Sequence, residues 1–322
     1  MEEAVAKLLR HVEPAWHDRC RDVLLFSNST FAQAWQDWYV FHNQFPERLT
    51  YGAGTYVEIG VNNPTAISNT LFFDKCLGWR GVCFEPATAW HDVIRKTRSC
   101  TLVPKCVHSR ENVGVSVQLV SHGTGSALAR IAVPARQEHG RRLAVTQTEM
   151  QCVDAGDELR ALGWANTPID LLSVDVEGAE PDVLRCFPFD EFTPKAILVE
   201  TAQFPDMRGV DRFFHRHGYH NRETFTVFDR SHHAGVINDH LFVRNERPKR
   251  VPVTHHADLH CARMRGVLGD SCAPWKEWLP ELGDNRWSAC TVSSGSASAA
   301  YGSANASASV HHIHNLTVRG SK

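Results

Sequence analysis

The sequence predicts an α/β domain with a doubly wound, mostly parallel β-sheet. Between about residues 51 and 245, short apolar runs typical of buried strands alternate with segments of helical character, which is the pattern of a parallel sheet covered by helices. Two late apolar runs, 225–228 and 240–243, predict an antiparallel strand pair at the end of this sheet. With 322 residues and 43% apolar composition, the chain is long enough to bury one large core.

The chain divides into three predicted segments. Residues 1–50 are rich in Trp, Phe and His and predict a helical extension packed on the main domain, which spans residues 51–245. Residues 246–322 predict a C-terminal extension, which contains a Ser-, Ala- and Gly-rich tail too poor in apolar surface to fold alone. The N-terminal extension carries an expected apolar helical stripe of Phe31, Trp35, Trp38 and Phe41.

The predicted elements of the main domain follow one another in a regular order. Before the terminal pair, strands are expected at 56–60, 81–85, 101–107, 113–120, 143–153, 169–175 and 196–200. Helices are expected at 64–76, 87–98, 155–162, 178–186 and 209–217. Asn63 would cap the first helix, with Pro64 in its first position, where proline is tolerated.

Acidic residues stand at the ends of four of these apolar runs. They are Glu58, Glu85, Asp175 and Glu200. Ligands of an open α/β sheet bind in the crevice at the carboxyl ends of the strands. We therefore expect the four carboxylates to converge on one rim, as a site for a ligand with hydroxyl groups and positive charge.

The charge balance argues against two classes of partner. A formal net charge of −2 with 22% charged residues gives no electrostatic reason to expect nucleic acid or an anionic membrane as partner. The first residues lack the basic and apolar regions of a secretory signal, and no apolar stretch approaches the roughly 18 residues of a membrane span. These features predict a soluble, cytoplasmic protein without stable membrane insertion.

The ten cysteines are scattered and form no C-x-x-C pair. In a chain without a recognisable signal, this pattern predicts reduced thiols. His256 and His260 stand four residues apart, but no C-x-x-C accompanies them, so we expect no metal site from the sequence.

Several ordered motifs resemble those of the FkbM-type methyltransferases. They are Tyr56-Val57-Glu58-Ile59-Gly60-Val61-Asn62-Asn63, Ser68-Asn69-Thr70, Leu77-Gly78-Trp79-Arg80-Gly81-Val82-Cys83-Phe84-Glu85-Pro86, and Ile169 to Glu180 with the core Asp175-Val176-Glu177-Gly178-Ala179-Glu180. The resemblance spans about residues 51–245. It implies a class I, Rossmann-like fold and an S-adenosylmethionine-dependent enzyme, often directed to oxygen, with a small metabolite, sugar or lipid as acceptor.

The resemblance also implies roles for the rim residues. Glu58, Gly60 and Asn62 would bind the cofactor, with Glu58 and Gly60 facing its amino acid head, and Glu85 would accept the ribose hydroxyls. A dinucleotide cofactor would need G-x-G-x-x-G for its pyrophosphate, whereas this loop offers only Gly60 before Val61-Asn62-Asn63-Pro64.

The acceptor side of the site is expected to use the remaining polar residues. Asp175 and Glu177 would orient or deprotonate the acceptor, and Glu200 and His108 would bind it. Structural alternatives remain open at this point. Asp175 would instead cap the following helix, with Glu180 in its first turn; Glu200 would be an exposed strand-end acid and His108 a solvated loop histidine.

One departure from the family pattern motivates a second hypothesis. Val61, Asn63 and Pro64 replace alanine, aspartate and glycine in the first loop, and proline cannot supply the positive φ available to glycine. The alternative function is therefore a binding or interaction protein that keeps the fold without turnover.

Overall fold

The computed structural model describes the chain except for several loops and the C-terminal extension. The described residues are 1–26, 29–109, 113, 116–122, 130–132, 145–201, 204, 207–229 and 234–244. The extension predicted for residues 246–322 lies outside them.

Seven strands form the main sheet, in the order β3-β2-β1-β7-β8-β10-β9. The five strands from β3 to β8 run parallel, and β10 is antiparallel to both β8 and β9. The predicted doubly wound, mostly parallel sheet with an antiparallel terminal pair is confirmed. The strands are β1 (Thr55–Ile59), β2 (Arg80–Phe84), β3 (Thr101–Val103), β7 (Leu171–Val174), β8 (Ala196–Glu200), β9 (Tyr219–Asp229) and β10 (Ala234–Arg244).

The central strands are buried on both faces, and most of their residues are apolar. Side chains alternate between the two faces of a strand, so Tyr56 and Leu171 enter one apolar cluster and Val57 and Leu172 enter the other. Helices cover the two faces: α4 (Leu71–Lys75), α5 (Thr88–Thr97), α6 (Ala155–Ala161), α7 (Glu180–Arg185) and α8 (Met207–Arg216).

The N-terminal residues form three α-helices, α1 (Glu2–Leu9), α2 (His17–Leu25) and α3 (Gln36–Gln44), with 3₁₀ turns at Pro14–Trp16 and Pro46–Arg48. Their buried side chains, such as Val5 and Tyr39, join the apolar cluster on the Tyr56 face of the sheet. The expected continuous helical stripe is wrong at its start, because Trp35 adopts a left-handed φ of 63° and α3 begins only after it.

The first predicted helix, 64–76, is shorter in the structure, where only α4 is helical. Local polar contacts hold the preceding segment in another conformation: the Asn63 side chain accepts a hydrogen bond from the backbone N–H of Thr65, and Ile67 has a φ of 52°. The expected capping of a helix by Asn63 is therefore wrong. Instead, the Ser68 hydroxyl accepts from the N–H of Leu71 where α4 begins.

A second, three-stranded antiparallel sheet contains the extra strands predicted after residue 113. It consists of β4 (Ser116–His122), β5 (Arg130–Ala132) and β6 (Val145–Gln151), in the order β5-β4-β6. The predicted third strand of the main sheet, 101–107, is shorter than expected, since β3 ends at Val103.

The cysteines correct another expectation. Three disulfides join Cys20 to Cys76, Cys83 to Cys100 and Cys106 to Cys152, and Cys186 is also disulfide-bonded. The prediction of reduced thiols is wrong for these seven residues. Among the described helices, none combines the length and the apolar character needed to cross a bilayer.

Candidate functional site

The loop that follows β1 is wedged between the ends of β2 and β7. The N–H of Gly60 donates to the carbonyl of Phe84 at 2.9 Å, and the N–H of Asp175 donates to the carbonyl of Ile59 at 2.9 Å. Gly60 has a φ of 89°, and a Cβ added to it would lie 1.7 Å from the Asp175 carbonyl oxygen. Glycine is therefore required at this point of the rim, for both its φ and its size.

Glu85, directly after β2, fastens this loop. Its Oε2 accepts from the N–H groups of Val61 and Asn62 at 3.1 and 2.7 Å, and its Oε1 accepts from the N–H of Ala87 at 2.7 Å. The side chain is buried, and burial raises the pKa of Glu85 to about 6 against the opposing effect of the three N–H donors. The carboxyl is thus mostly ionised at neutral pH.

Glu58 takes part in a buried ionic network. Arg98, which is fully buried, contacts Glu58 Oε2 at 3.2 Å and donates through Nε to Asp74 Oδ2 at 2.6 Å. The same guanidinium donates to the Thr70 hydroxyl at 2.6 Å and to the Tyr56 hydroxyl at 3.2 Å. Burial raises the pKa of Glu58 and the charge of Arg98 opposes that rise. Glu58 therefore has a structural partner in this conformation.

Three further carboxylates meet beside the Gly60 loop and are called the carboxylate cluster: Asp175, Glu180 and Glu200. Oxygens from the three side chains all lie within 4.8 Å of one another. Glu180 and Glu200 are buried, and Asp175 is partly exposed. Asp175 follows β7, Glu200 ends β8, and Glu180 is the first residue of α7. The turn from β7 to α7 therefore places Asp175 and Glu180 close to Glu200.

Backbone donors orient Glu180. Its Oε1 accepts from the N–H of Val176 at 2.8 Å, and its Oε2 accepts from the N–H of Gly178 at 3.0 Å. The turn that these bonds hold includes a positive φ at Glu177, 57°, and at Gly178, 106°. Glu180 lies in the first turn of its helix, as the structural alternative expected. Ala179, not Asp175, precedes α7, so Asp175 does not cap this helix.

The electrostatics of the carboxylate cluster are unfavourable for three negative charges. Burial, followed by the neighbouring acids Asp239, Glu177 and Glu180, raises the pKa of Asp175 well above its ordinary value. Burial and the same kind of repulsion raise the pKa of Glu200 to about 11. Carboxyl groups this close cannot all be ionised in the absence of a counter-charge.

Sequence reasoning missed two residues beside this cluster. Asp239 lies opposite Glu200 in the β8–β10 pair, and the Gln36 amide donates to Asp239 Oδ2. Through Gln36, the N-terminal extension reaches the edge of the site. The available signal was a charged residue, Asp239, just before the apolar run 240–243 that ends the sheet.

The remaining predicted residues lie at separate parts of the rim. Asn62 has a φ of 52° within the loop that Glu85 holds. His108 follows β3, and its Nδ1 accepts from the N–H of Ser109 at 2.8 Å. Three strands stand between β3 and β8, and adjacent strands are about 4.8 Å apart. Strand β3, which precedes His108, is therefore not adjacent to β8, which ends at Glu200.

The family comparison matches the part of the chain that carries this rim. A family model described as the methyltransferase FkbM domain matches residues 58–220, about half of the chain. No curated protein matches the chain.

Two solved structures are similar to the chain at low identity. One is precorrin-6y C5,15-methyltransferase from Geobacter metallireducens GS-15, with a TM-score of 0.35 and 11% identity, covering 62% of this chain and 83% of that one. The other is a protein from Pyrococcus horikoshii assigned as an RNA methyltransferase, with a TM-score of 0.34 and 11% identity, covering 76% of this chain and 98% of that one. Because both TM-scores are low, the assignment to a family depends on the matched domain alone.

Proposed function

The chain belongs to the methyltransferase FkbM domain family, and from that premise we propose that it transfers a methyl group from S-adenosylmethionine to a hydroxyl of a small metabolite, sugar or lipid. The observation that carries this proposal is the position of Glu85. An ionised carboxylate at the carboxyl end of the second parallel strand, fastened to the loop after the first strand, suits recognition of a ribose.

The hydrogen bonds that Glu85 already accepts leave room for one of the two ribose hydroxyls. A carboxylate has about four lone-pair positions, and three of them take backbone N–H groups. The fourth can accept one ribose hydroxyl. A second hydroxyl would have to replace the N–H of Val61 or Asn62, so we propose that the Gly60 loop shifts when the cofactor binds.

Other residues of the rim are assigned by proposal. Gly60 and Asn62 would bind the amino acid head of the cofactor through their loop. Glu58 would contact the cofactor directly only if its ion pair with Arg98 opened, and would otherwise act through Arg98. When bound, S-adenosylmethionine supplies a methyl group already activated by its sulfonium.

On the acceptor side, Asp175 and Glu177 would orient the hydroxyl and take its proton. The raised pKa of Asp175 makes its ionised form a stronger base than an ordinary aspartate. Glu200 and His108 remain proposals for acceptor binding. The distance across the sheet between β3 and β8 means that an acceptor touching both would have to extend along the rim.

The second candidate is a fold that binds without turnover. It is supported by the three backbone N–H groups that Glu85 already accepts and by the burial of Val61, which is only 4% exposed. In that case the loop would keep the ribose position closed.

Calorimetric titration with S-adenosylmethionine and S-adenosylhomocysteine separates the two candidates. Micromolar binding of both, followed by transfer of a labelled methyl group to an acceptor in a panel of hydroxylated small molecules, supports the enzyme. Absence of binding at millimolar ligand would instead support the protein without turnover. Binding without transfer to any acceptor class would support a cofactor-binding protein.

The disulfides bear on the location. Disulfides persist in oxidising compartments and are rare in the cytosol, and three lie in the described part of this chain. We propose that the protein folds in an oxidising compartment, against the cytoplasmic location expected from the sequence. A small molecule remains the proposed partner, and residues 51–245 the proposed catalytic domain.

A further inference from the structure

The carboxylate cluster lacks a counter-charge among the described residues. The neighbouring side chains that raise the pKa values of Asp175 and Glu200 are themselves acidic. Two cations close to the cluster in the sequence pair with other acids: Arg185 with Asp182 at 3.6 Å, and Lys195 with Asp170 at 2.8 Å. Within the described ranges, no ion pair involves a member of the cluster.

A second observation, independent of the clustering, concerns one oxygen of Glu200. Its side chain is buried, with the residue 9% exposed, and Oε2 is fully buried and accepts no hydrogen bond. A buried carboxylate oxygen without a donor is costly. Because this carboxylate faces Asp175 and Glu180, a positively charged ligand between them would satisfy it.

The cluster is also oriented in advance. The N–H groups of Val176 and Gly178 fix the Glu180 carboxylate, and hydrogen bonds of this kind favour its ionised form. Glu200 is fixed by its place at the end of β8, between β7 and β10. The acids therefore converge without rearrangement of the backbone.

We propose that Asp175, Glu180 and Glu200 form a binding site for a divalent cation with a preference for oxygen ligands, of the class of Ca²⁺, Mn²⁺ or Mg²⁺. An all-carboxylate set selects such ions over those that prefer nitrogen or sulfur. Ca²⁺–oxygen bonds of about 2.4 Å allow two ligand oxygens to lie up to about 4.8 Å apart, and the three oxygens of the cluster lie within 4.8 Å of one another.

The consequence for catalysis rests on the proposed function. A cation at the rim would bind an acceptor hydroxyl and favour its deprotonated form, since metal ions lower the pKa of bound oxygen ligands. The proton would pass to Glu177, the proposed base that is not a ligand of the cation. The existence of the site does not depend on methyl transfer, and it can be tested without any cofactor.

The experiment uses the full-length, oxidised protein, freed of metal with a chelator and then dialysed. Thermal unfolding and calorimetry are measured with Ca²⁺, Mn²⁺ and Mg²⁺ up to about 1 mM, the weak end of the range for protein Ca²⁺ sites. We expect saturable binding and a rise in Tm by several degrees, because a ligand that binds only the folded state stabilises it. Mn²⁺ binding is confirmed by the loss of the free-ion signal in electron paramagnetic resonance.

Glu200→Gln provides the decisive variant. Gln has nearly the size of Glu but cannot become an anionic ligand, so this variant should abolish the response of the Tm to metal. Glu47→Gln, which changes an exposed carboxylate on the surface, should leave that response unchanged. If Glu200→Gln fails to fold, Asp175→Asn replaces it, and the wild-type titrations still decide whether a cation binds.

Two outcomes would overturn the site: no saturable metal binding to the wild type, or an equal metal response in wild type and Glu200→Gln. Titration with S-adenosylhomocysteine in parallel keeps the two proposals separate. Cofactor binding without metal binding would contradict only the cation site. Metal binding without cofactor binding would contradict only the proposed methyl transfer.

Discussion

Gly60 and Asp175 approach each other so closely that a Cβ on Gly60 would lie 1.7 Å from the Asp175 carbonyl oxygen. The contact joins two segments. One is the loop after β1, which Glu85 holds, and the other is the turn after β7, which carries Asp175 and Glu180 of the carboxylate cluster. The proposed cofactor and acceptor sides of the rim therefore meet at this backbone contact, and a displacement of Gly60 should be transmitted to both.

Gly60→Ala should destabilise the protein by roughly 2–5 kcal/mol, the sum of a left-handed φ and steric overlap with backbone. Equilibrium unfolding in urea measures this loss. Gly163→Ala is the matched control, because Gly163 also has a left-handed φ, 78°, but nothing lies within 4 Å of its added Cβ. The control should cost roughly 1–2 kcal/mol. Equal losses in the two variants would contradict the close approach.

Arg98→Met should destabilise the fold by roughly 3–5 kcal/mol, because it leaves Glu58 and Asp74 buried without their cation. Arg95→Met, three residues earlier in the last turn of α5, removes an exposed ion pair with Asp92 and should cost less than about 1 kcal/mol. Unfolding in urea compares the two. A loss at Arg98 as small as that at Arg95 would show that the buried network does not form.

The disulfides predict a defined set of cross-linked peptides. Proteolysis under non-reducing conditions, followed by mass spectrometry, should recover Cys20 with Cys76, Cys83 with Cys100 and Cys106 with Cys152. Removal of the first pair by alanine substitution should cost roughly 4 kcal/mol and removal of the second roughly 3 kcal/mol, since the closed loops span 56 and 17 residues and the entropic term grows with loop length. Recovery of these cysteines as alkylated free thiols would contradict the assignment.

The sheet could be predicted from the sequence because buried parallel strands are nearly continuous apolar runs. The same apolar runs placed Glu85, Asp175 and Glu200 at strand ends, where the structure has them. What could not be predicted depends on tertiary contacts. Cys20 and Cys76 stand 56 residues apart, yet their Cα atoms are 5.4 Å apart, and no sequence spacing encodes that distance.

Glu58 illustrates the same limit within one strand. It lies inside β1 and two residues after Tyr56, so both side chains point to the same face. Arg98, the partner that both contact, comes from the end of a helix 40 residues later in the chain. The pattern of the strand identified the acid, but only the packing of α5 revealed its partner.

Binding of S-adenosylhomocysteine should weaken as the pH falls through the pKa of Glu85, which burial raises to about 6. The ionised carboxylate accepts a ribose hydroxyl more strongly than the protonated group does, and about one molecule in eleven carries it at about pH 5. The dissociation constant should therefore rise about tenfold between about pH 7.5 and pH 5, as measured by calorimetry. His91→Gln, which changes the imidazole that contacts the Glu85 carbonyl at 2.8 Å, should keep this dependence. Glu85→Gln should bind more weakly at neutral pH and respond little to pH, and a pH-independent wild type would exclude Glu85 as the ribose acceptor.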